Sequence, residues 1–113
     1  MLTASRRLRL RSDFERVFAD RRAITGRFFR AKVLPNSKNI SRFAVVVSGK
    51  VHKRAVVRNR VRRRAWSVLA KIASTVPVGL DIVLVASPSS APAVFSELQS
   101  DIQYILKKYS RIS

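Results

Sequence analysis

The chain has 113 residues, of which 24 are Lys or Arg and 6 are Asp or Glu, so its formal net charge at pH 7 is +18. This length fits one domain, and a hydrophobic fraction of 47% can bury a core, which excludes a disordered basic tail. The absence of Cys excludes disulfides, a zinc finger and a thiol nucleophile, and a cytoplasmic location is expected. No apolar run approaches the ~20 residues that span a bilayer, and the basic N-terminus lacks the apolar stretch of a secretory signal. A charge this one-sided predicts a polyanionic partner.

Hydrophobic spacing predicts three helices and three strands, with room for one further short strand. In chain order these are a helix over 13–22, strands over 27–34 and 42–48, a helix over 55–74, a strand over 80–86 and a helix over 93–109. The first helix starts at a capping-box spacing, Ser12 with Glu15, and carries the apolar stripe Phe14, Val17 and Phe18. The sum is an α+β fold over 1–113, a small single-domain α/β sandwich of order α-β-β-(β)-α-β-α with helices on a mixed sheet.

The first two strands differ in their patterns. In the first, Phe29, Ala31 and Val33 are predicted to face the core, whereas Phe28, Arg30, Lys32 and Leu34 share the opposite face. An aromatic side chain interleaved with two cations suits stacking on and phosphate contact with a single-stranded nucleic acid. The second strand is apolar on both faces, which predicts a central position in the sheet.

The positive charge is concentrated between residues 21 and 80, where there are 16 Lys or Arg and no acidic residue. Six of these are Arg residues within 54–64. On a helix, Val57, Val61, Ala65, Val68, Leu69 and Ile72 form one apolar arc, and the cations spread over the rest of the surface. Like charges four residues apart destabilise a free helix, so this surface is predicted to be neutralised by phosphate of a bound nucleic acid.

Other functions receive less support from the sequence. The apolar arc is aliphatic and has a sheet to cover, which argues against insertion into a membrane surface. His52 is the only His and has no neighbouring acid in the sequence, and no nucleophile–base pair is recognisable, so no catalytic residue is expected. A structural ribosomal or nucleoid protein that coats RNA or DNA remains an alternative.

Residues 48–63 resemble the signature of the bacterial ribonuclease P protein component, a Ser-Lys-Lys-Val loop followed by an Ala-Val-x-Arg-Asn-Arg helix start. A Leu-Arg-x-x-x-Asp-Phe-x-x-Val-Phe stretch near the N-terminus and a Gly-x-Asp-Ile-Val strand at 79–83 extend the likeness over nearly the whole chain. The resemblance implies a sandwich with a left-handed βαβ crossover. It also implies the protein subunit of an endonuclease that removes the 5′ leader of precursor tRNA, with the chemistry carried by magnesium bound mainly to the RNA subunit.

The resemblance also implies two sets of site residues and two partners, the catalytic RNA subunit and precursor tRNA, with no membrane and no protein partner required. The RNA-subunit set is Lys50, Lys53, Arg54, Arg58, Asn59, Arg60, Arg62, Arg63 and Arg64. The leader set is Phe14, Phe18, Phe28, Arg30 and Lys32, in a cleft between the first helix and the sheet. Two positions depart from the family pattern: Gly49 replaces the first Lys of the loop, and Ser87 stands where the family usually has an Arg before Pro.

Overall fold

The structure, a computed structural model, describes residues 6–8, 11–20 and 23–112. Its helices and strands are α1 (Arg11–Ala19), β1 (Ile24–Thr25), β2 (Phe29–Pro35), β3 (Arg42–Val46), α2 (Ala55–Ile72), β4 (Leu80–Ala86) and α3 (Phe95–Ile112). The predicted α+β class and element order are confirmed, and the additional short strand is β1. The predicted end of the first helix, residues 21–22, lies outside the described residues.

The four strands form one mixed sheet of order β1-β2-β4-β3, in which β2 is antiparallel to β4 and β3 is parallel to β4. The prediction that the strand over 42–48 is central is wrong, because β4 occupies the centre. Among the described residues, the outer side of β3 is joined by a bridge between Arg7 and Phe43, next to which the Leu8 N–H donates to the Phe43 oxygen at 2.8 Å. An apolar pattern on both faces of β3 indicates that both faces are covered by other elements. It does not indicate whether one or two strands lie beside β3 in the sheet. The left hand of the β3–α2–β4 crossover stays a prediction.

Helices cover both faces of the sheet. On one face α2 and α3 pack on Phe29, Phe43, Ile82 and Leu84, and on the other α1 packs on a smaller cluster that contains Val17, Ala44 and Val83. The predicted apolar arc of α2 is confirmed, since Val61, Ala65, Val68 and Leu69 are buried and Val57 and Ile72 pack at the edge of the core. The other surface of α2 therefore remains for its polar and charged residues.

The predicted start of the first helix is two residues late. Helix α1 begins at Arg11, so Ser12 lies within it, and the Glu15 carboxylate accepts a hydrogen bond from Arg11 Nε at 3.0 Å. This i,i+4 pair is exposed and contributes at most about 0.5 kcal/mol.

A buried ion network joins α1 to the sheet. The fully buried Asp81 accepts hydrogen bonds from Arg42 at 2.8 and 2.9 Å, from Asn36 at 2.8 Å and from Arg16 of α1, and Arg42 also donates to Asp13 of α1 at 3.2 Å. Burial acts to raise the pKa of Asp81, but hydrogen bonds from Arg42 and Asn36 and attraction to the two guanidinium groups outweigh it, so this pKa is lowered. The hydrogen bond to Asp81 is the main reason why the pKa of Arg42 is raised.

Two valines of α2, one buried and one exposed, test which side of this helix packs on the core. Val61 is 1% exposed and Val56 is 62% exposed. We expect Val61→Ala to lower the free energy of unfolding by about 2 kcal/mol, because it leaves a cavity against the sheet. Val56→Ala should change it by less than about 0.5 kcal/mol. Urea denaturation of both variants measures the difference, and equal losses would contradict the assigned orientation of α2.

Candidate nucleic-acid interface

The strand register arranges the side chains of the α1-facing side of the sheet in three rows. They are Thr25–Arg30–Val85–Val46, then Lys32–Val83–Ala44, then Leu34–Asp81–Arg42. Helix α1 covers the second and third rows, where Val83 and Asp81 are fully buried. The first row is open: Thr25 and Arg30 are exposed, and Val46 and Val85 are partly buried. A shallow cleft therefore lies between the end of α1 and this row.

Aromatic and cationic side chains border this cleft. The rings of Phe14 and Phe18 are nearly parallel, at 17° with centroids 6.3 Å apart, and Phe18 is 41% exposed. Lys32 Nζ lies 5.9 Å from the centroid of the Phe18 ring and donates a hydrogen bond to the Asp20 carbonyl oxygen at 2.6 Å. The structure thus places Phe14, Phe18, Arg30 and Lys32 on one side of the sheet, in an arrangement that offers ring faces beside positive charge.

Phe28 does not belong to this cleft, and the prediction that it shares a face with Arg30 and Lys32 is wrong. Its side chain is 5% exposed and lies in the core cluster on the opposite face of the sheet. The cause is a tertiary contact at the turn before β2: β2 begins only at Phe29, and the carboxylate of Asp101 accepts hydrogen bonds from the Phe28 and Phe29 N–H groups at 2.8 and 3.0 Å. The chain turns at Phe28 instead of continuing the strand alternation.

The start of α2 is held by its own basic side chains. His52 Nδ1 accepts a hydrogen bond from the Arg54 N–H at 3.1 Å, and Arg58 Nη1 donates to the carbonyl oxygens of His52 and Lys53 at 2.8 and 2.9 Å. His52 is thus a structural group of this loop. A Cβ added at Gly49 would meet no atom within 4 Å, so packing does not explain the missing cation there.

Further along α2, guanidinium groups lie on two flanks of the helix. On one flank Arg60 donates to the Ala91 carbonyl oxygen at 3.2 Å and Arg64 to that of Ala93 at 3.1 Å. On the other, Arg62 donates to Asn59 Oδ1 at 2.6 Å and to the Val47 carbonyl oxygen at 3.5 Å. These acceptors are neutral, so they orient the guanidinium groups without cancelling their charge.

The cations of 50–64 have no carboxylate partner among the described residues. The ion pairs among the described residues involve other arginines: they join Arg11 to Glu15, Arg16 to Asp81, Arg27 to Glu97, and Arg42 to Asp13 and Asp81. Lys50, Lys53, Arg54, Asn59, Arg60 and Arg63 are exposed, and Arg58, Arg62 and Arg64 are partly buried. Because like charges without counterions repel one another, this surface is suited to bind an anionic polymer.

The basic surface and the cleft lie at the same end of the sheet. Strands β3 and β4 are parallel, and the last residue pair of their ladder is Val46 and Val85 of the open row. The loop that leads to α2 follows β3 directly. One nucleic-acid complex can therefore contact both surfaces at once.

Ser87, at the end of β4, has a structural role in this chain. Its N–H and its hydroxyl both donate to the Phe28 carbonyl oxygen at 2.9 Å. Arg27 and Arg30 line the adjacent groove together with Ser87. Two cations, one from the turn before β2 and one from β2 itself, thus lie beside the position that departs from the family pattern.

The described residues offer no metal cage and no membrane span. No group of three or more His, Asp or Glu side chains lies together within residues 6–8, 11–20 and 23–112. In the same part of the chain, no helix has the length and hydropathy needed to cross a bilayer.

Comparisons with known proteins agree on one family. A family model described as Ribonuclease P matches residues 2–110. The chain is 35% identical over 109 residues to the ribonuclease P protein component of Pseudanabaena sp., covering 96% of this chain and 94% of that protein. It is 32% identical over 112 residues to that of Alkaliphilus oremlandii, covering 99% and 97%. The solved ribonuclease P protein of Thermotoga maritima superposes with a TM-score of 0.80 at 25% identity, over 90% of this chain and 96% of that one. A Staphylococcus aureus RNase P protein mutant matches in fold, with a TM-score of 0.86 at 21% identity over 94% and 89%.

Proposed function

Since the chain belongs to the bacterial ribonuclease P protein family, we propose that it is the cytoplasmic protein subunit that binds the catalytic RNA subunit and the 5′ leader of precursor tRNA. The observation that carries this proposal is the basic surface of 50–64, whose cations have no carboxylate partner among the described residues. In this role the protein binds and orients RNA and contributes no catalytic residue.

The RNA subunit binds along the basic loop and the N-terminal half of α2. Guanidinium groups bond phosphate in a bidentate geometry, and those of Arg60, Arg62 and Arg64 are already oriented by backbone carbonyl groups. This orientation lowers the entropy lost on binding. Release of counterions from the RNA supplies much of the affinity, so binding should be strongly salt-dependent.

The leader binds in the cleft between α1 and the open row. Phe18 offers an exposed ring for a base to stack on, and Lys32 and Arg30 provide positive charge for the flanking phosphates. Such contacts are tolerant of sequence, because every base has a π-face. A leader that occupies this cleft distinguishes precursor tRNA from mature tRNA, which lacks it.

Magnesium is assigned to the RNA subunit. Among residues 6–8, 11–20 and 23–112 there is no acidic or histidine cluster that fits the ion. Magnesium held by RNA phosphates supplies the activation of water for hydrolysis. By neutralising RNA phosphates at the interface, the cations of the protein should lower the magnesium concentration that the complex needs.

Reconstitution with the cognate RNA subunit tests the proposal. Added protein should lower the magnesium concentration required for cleavage and should tighten the binding of precursor tRNA relative to mature tRNA. A protein that merely coats RNA would bind both tRNA forms equally. Absence of stimulation, with the RNA subunit shown to be active alone at high magnesium, would overturn the proposal.

Two phenylalanines provide an internal contrast for the leader site. We expect Phe18→Ala to weaken binding of precursor tRNA by about 1–3 kcal/mol through loss of one stacked base, and to leave mature tRNA binding unchanged. Phe28→Ala should instead lower the free energy of unfolding by about 3–5 kcal/mol, because that ring is buried. Binding titrations with the holoenzyme and thermal denaturation separate the two effects. A folded Phe18→Ala protein with undiminished preference for precursor tRNA would rule out this stacking contact.

A further inference from the structure

We propose that Trp66 and Arg7 form a second nucleotide-binding site, on the side of α2 next to the N-terminal segment, that takes an unpaired nucleotide of the catalytic RNA subunit. The proposal rests on the proposed function and adds a site that neither the leader cleft nor the basic start of α2 contains. Trp66 is the single Trp of the chain. It lies in α2, about two turns after Arg58, which belongs to the first turn of that helix.

The site begins as a cation–π pair. The guanidinium carbon of Arg7 lies 4.5 Å from the centroid of the Trp66 ring, and the indole is partly buried against the core. Arg7 reaches this position because the N-terminal segment bridges to β3 at Phe43, along the free edge of the sheet. Arg7 Nε is buried without a hydrogen-bond partner in the described part of the chain, so the ring contact is what the structure shows holding this side chain.

A groove with further cations surrounds this pair. It measures about 730 Å³, and Arg7, Arg62, Arg63, Trp66 and Lys71 line it together with small residues of α2. This volume falls within the ~300–1,000 Å³ of pockets that hold small molecules, so one nucleotide fits. Within the described residues, none of these four cations pairs with a carboxylate.

Charge and shape together favour RNA as the occupant. Unpaired bases stack on aromatic rings and on arginine guanidinium planes, and here a guanidinium group already lies over an aromatic ring. The exposed Arg63 and the partly buried Arg62 lie in the same groove to bond the phosphate of that nucleotide. The groove is continuous with the basic surface of 50–64 through these two residues, so the RNA that covers that surface extends to Trp66.

The single Trp makes the site directly observable. A titration of the whole protein with the catalytic RNA subunit should quench Trp66 emission with the same midpoint as a filter-binding titration. In the saturated complex the indole should be protected from acrylamide. A parallel titration with precursor tRNA alone should leave the emission nearly unchanged. Emission and acrylamide access that stay unchanged in the saturated complex, or quenching by precursor tRNA alone, would overturn the proposal.

Substitutions test the contribution of the site to binding. Trp66→Leu should weaken RNA-subunit affinity about tenfold, within the range for one lost stacking partner. Arg7→Lys keeps the charge but loses the planar guanidinium and should weaken binding, whereas Lys38→Ala, which removes a charge that does not line this groove, should not. If Trp66→Leu does not fold, Arg7→Lys and the wild-type emission decide the result. A protein that does not bind the RNA subunit at all refutes the proposed function, while binding without a change at Trp66 refutes only this site.

Discussion

The double variant Arg60→Ala/Arg64→Ala should lose about a hundredfold in affinity for the catalytic RNA subunit at low salt. Both guanidinium groups lie on one flank of α2, oriented by the carbonyl oxygens of Ala91 and Ala93. A charge-assisted hydrogen bond contributes ~1.5–3 kcal/mol, and the lower end of this range corresponds to about tenfold in affinity for each residue. The plot of log K against log salt should become shallower by roughly 1.5, because two phosphate contacts are lost. Filter binding over a salt series measures both quantities.

A matched control removes the same charge elsewhere. Lys38 lies in the β2–β3 loop and Lys107 on the exposed side of α3, both away from the basic surface of 50–64. Lys38→Ala/Lys107→Ala should reduce affinity by less than about threefold, since it changes only the long-range field. If both double variants lose affinity equally, net charge drives binding and the orientation of Arg60 and Arg64 has no role.

The sequence was most informative where one periodicity applied over a whole element. The arc from Val61 to Leu69 was predicted and is buried, because an 18-residue helix repeats its pattern often enough to define one face. The same calculation predicted an outer surface of arginines, and the structure leaves Arg60 and Arg63 exposed. Composition also predicted this surface to lack acidic partners, since none occurs in sequence between residues 21 and 80.

The predictions failed where a distant residue decides the conformation. Phe28 continues the strand alternation in the sequence, but the carboxylate of Asp101, which is 73 residues away, accepts a hydrogen bond from its N–H group at the turn before β2. The apolar strand β3 was predicted to be central, yet its two faces are buried by helices, and it lies at the edge of the sheet. In the part of the chain that the structure describes, its outer side meets the N-terminal segment at Arg7. No local pattern signals the Trp66–Arg7 contact, because it joins residues 59 positions apart in sequence.

The two RNA surfaces depend on different parts of the fold. The basic surface of 50–64 belongs to α2, which is fixed by the large core under α2 and α3. The leader cleft exists only while α1 remains docked, and α1 contributes few residues to the smaller core cluster. The ion network of Asp81 is therefore the main specific attachment of α1, and its loss should affect leader binding before RNA-subunit binding.

Asp81→Asn should lower the free energy of unfolding by about 3–5 kcal/mol, because it leaves Arg16 and Arg42 without their buried counter-charge. The lowered pKa of Asp81 means that its ionised form stabilises the native state. This contribution is complete above the ordinary value of 3.8 and is lost as the pH falls through the lower folded value, so wild-type stability should decrease below about pH 4. Urea denaturation from pH 7 to acid measures both effects.

The exposed pair on the same helix provides the control. Glu15→Gln also removes a carboxylate that accepts a hydrogen bond from an arginine, but this pair is open to solvent and should cost less than about 1 kcal/mol. The stability of Asp81→Asn should converge on that of the wild type at acid pH, since protonation of Asp81 removes the same charge. At neutral pH, Asp81→Asn should reduce the preference for precursor over mature tRNA while retaining RNA-subunit binding. An equal loss of both activities would mean that the cleft and the basic surface unfold together and that α1 is not independently attached.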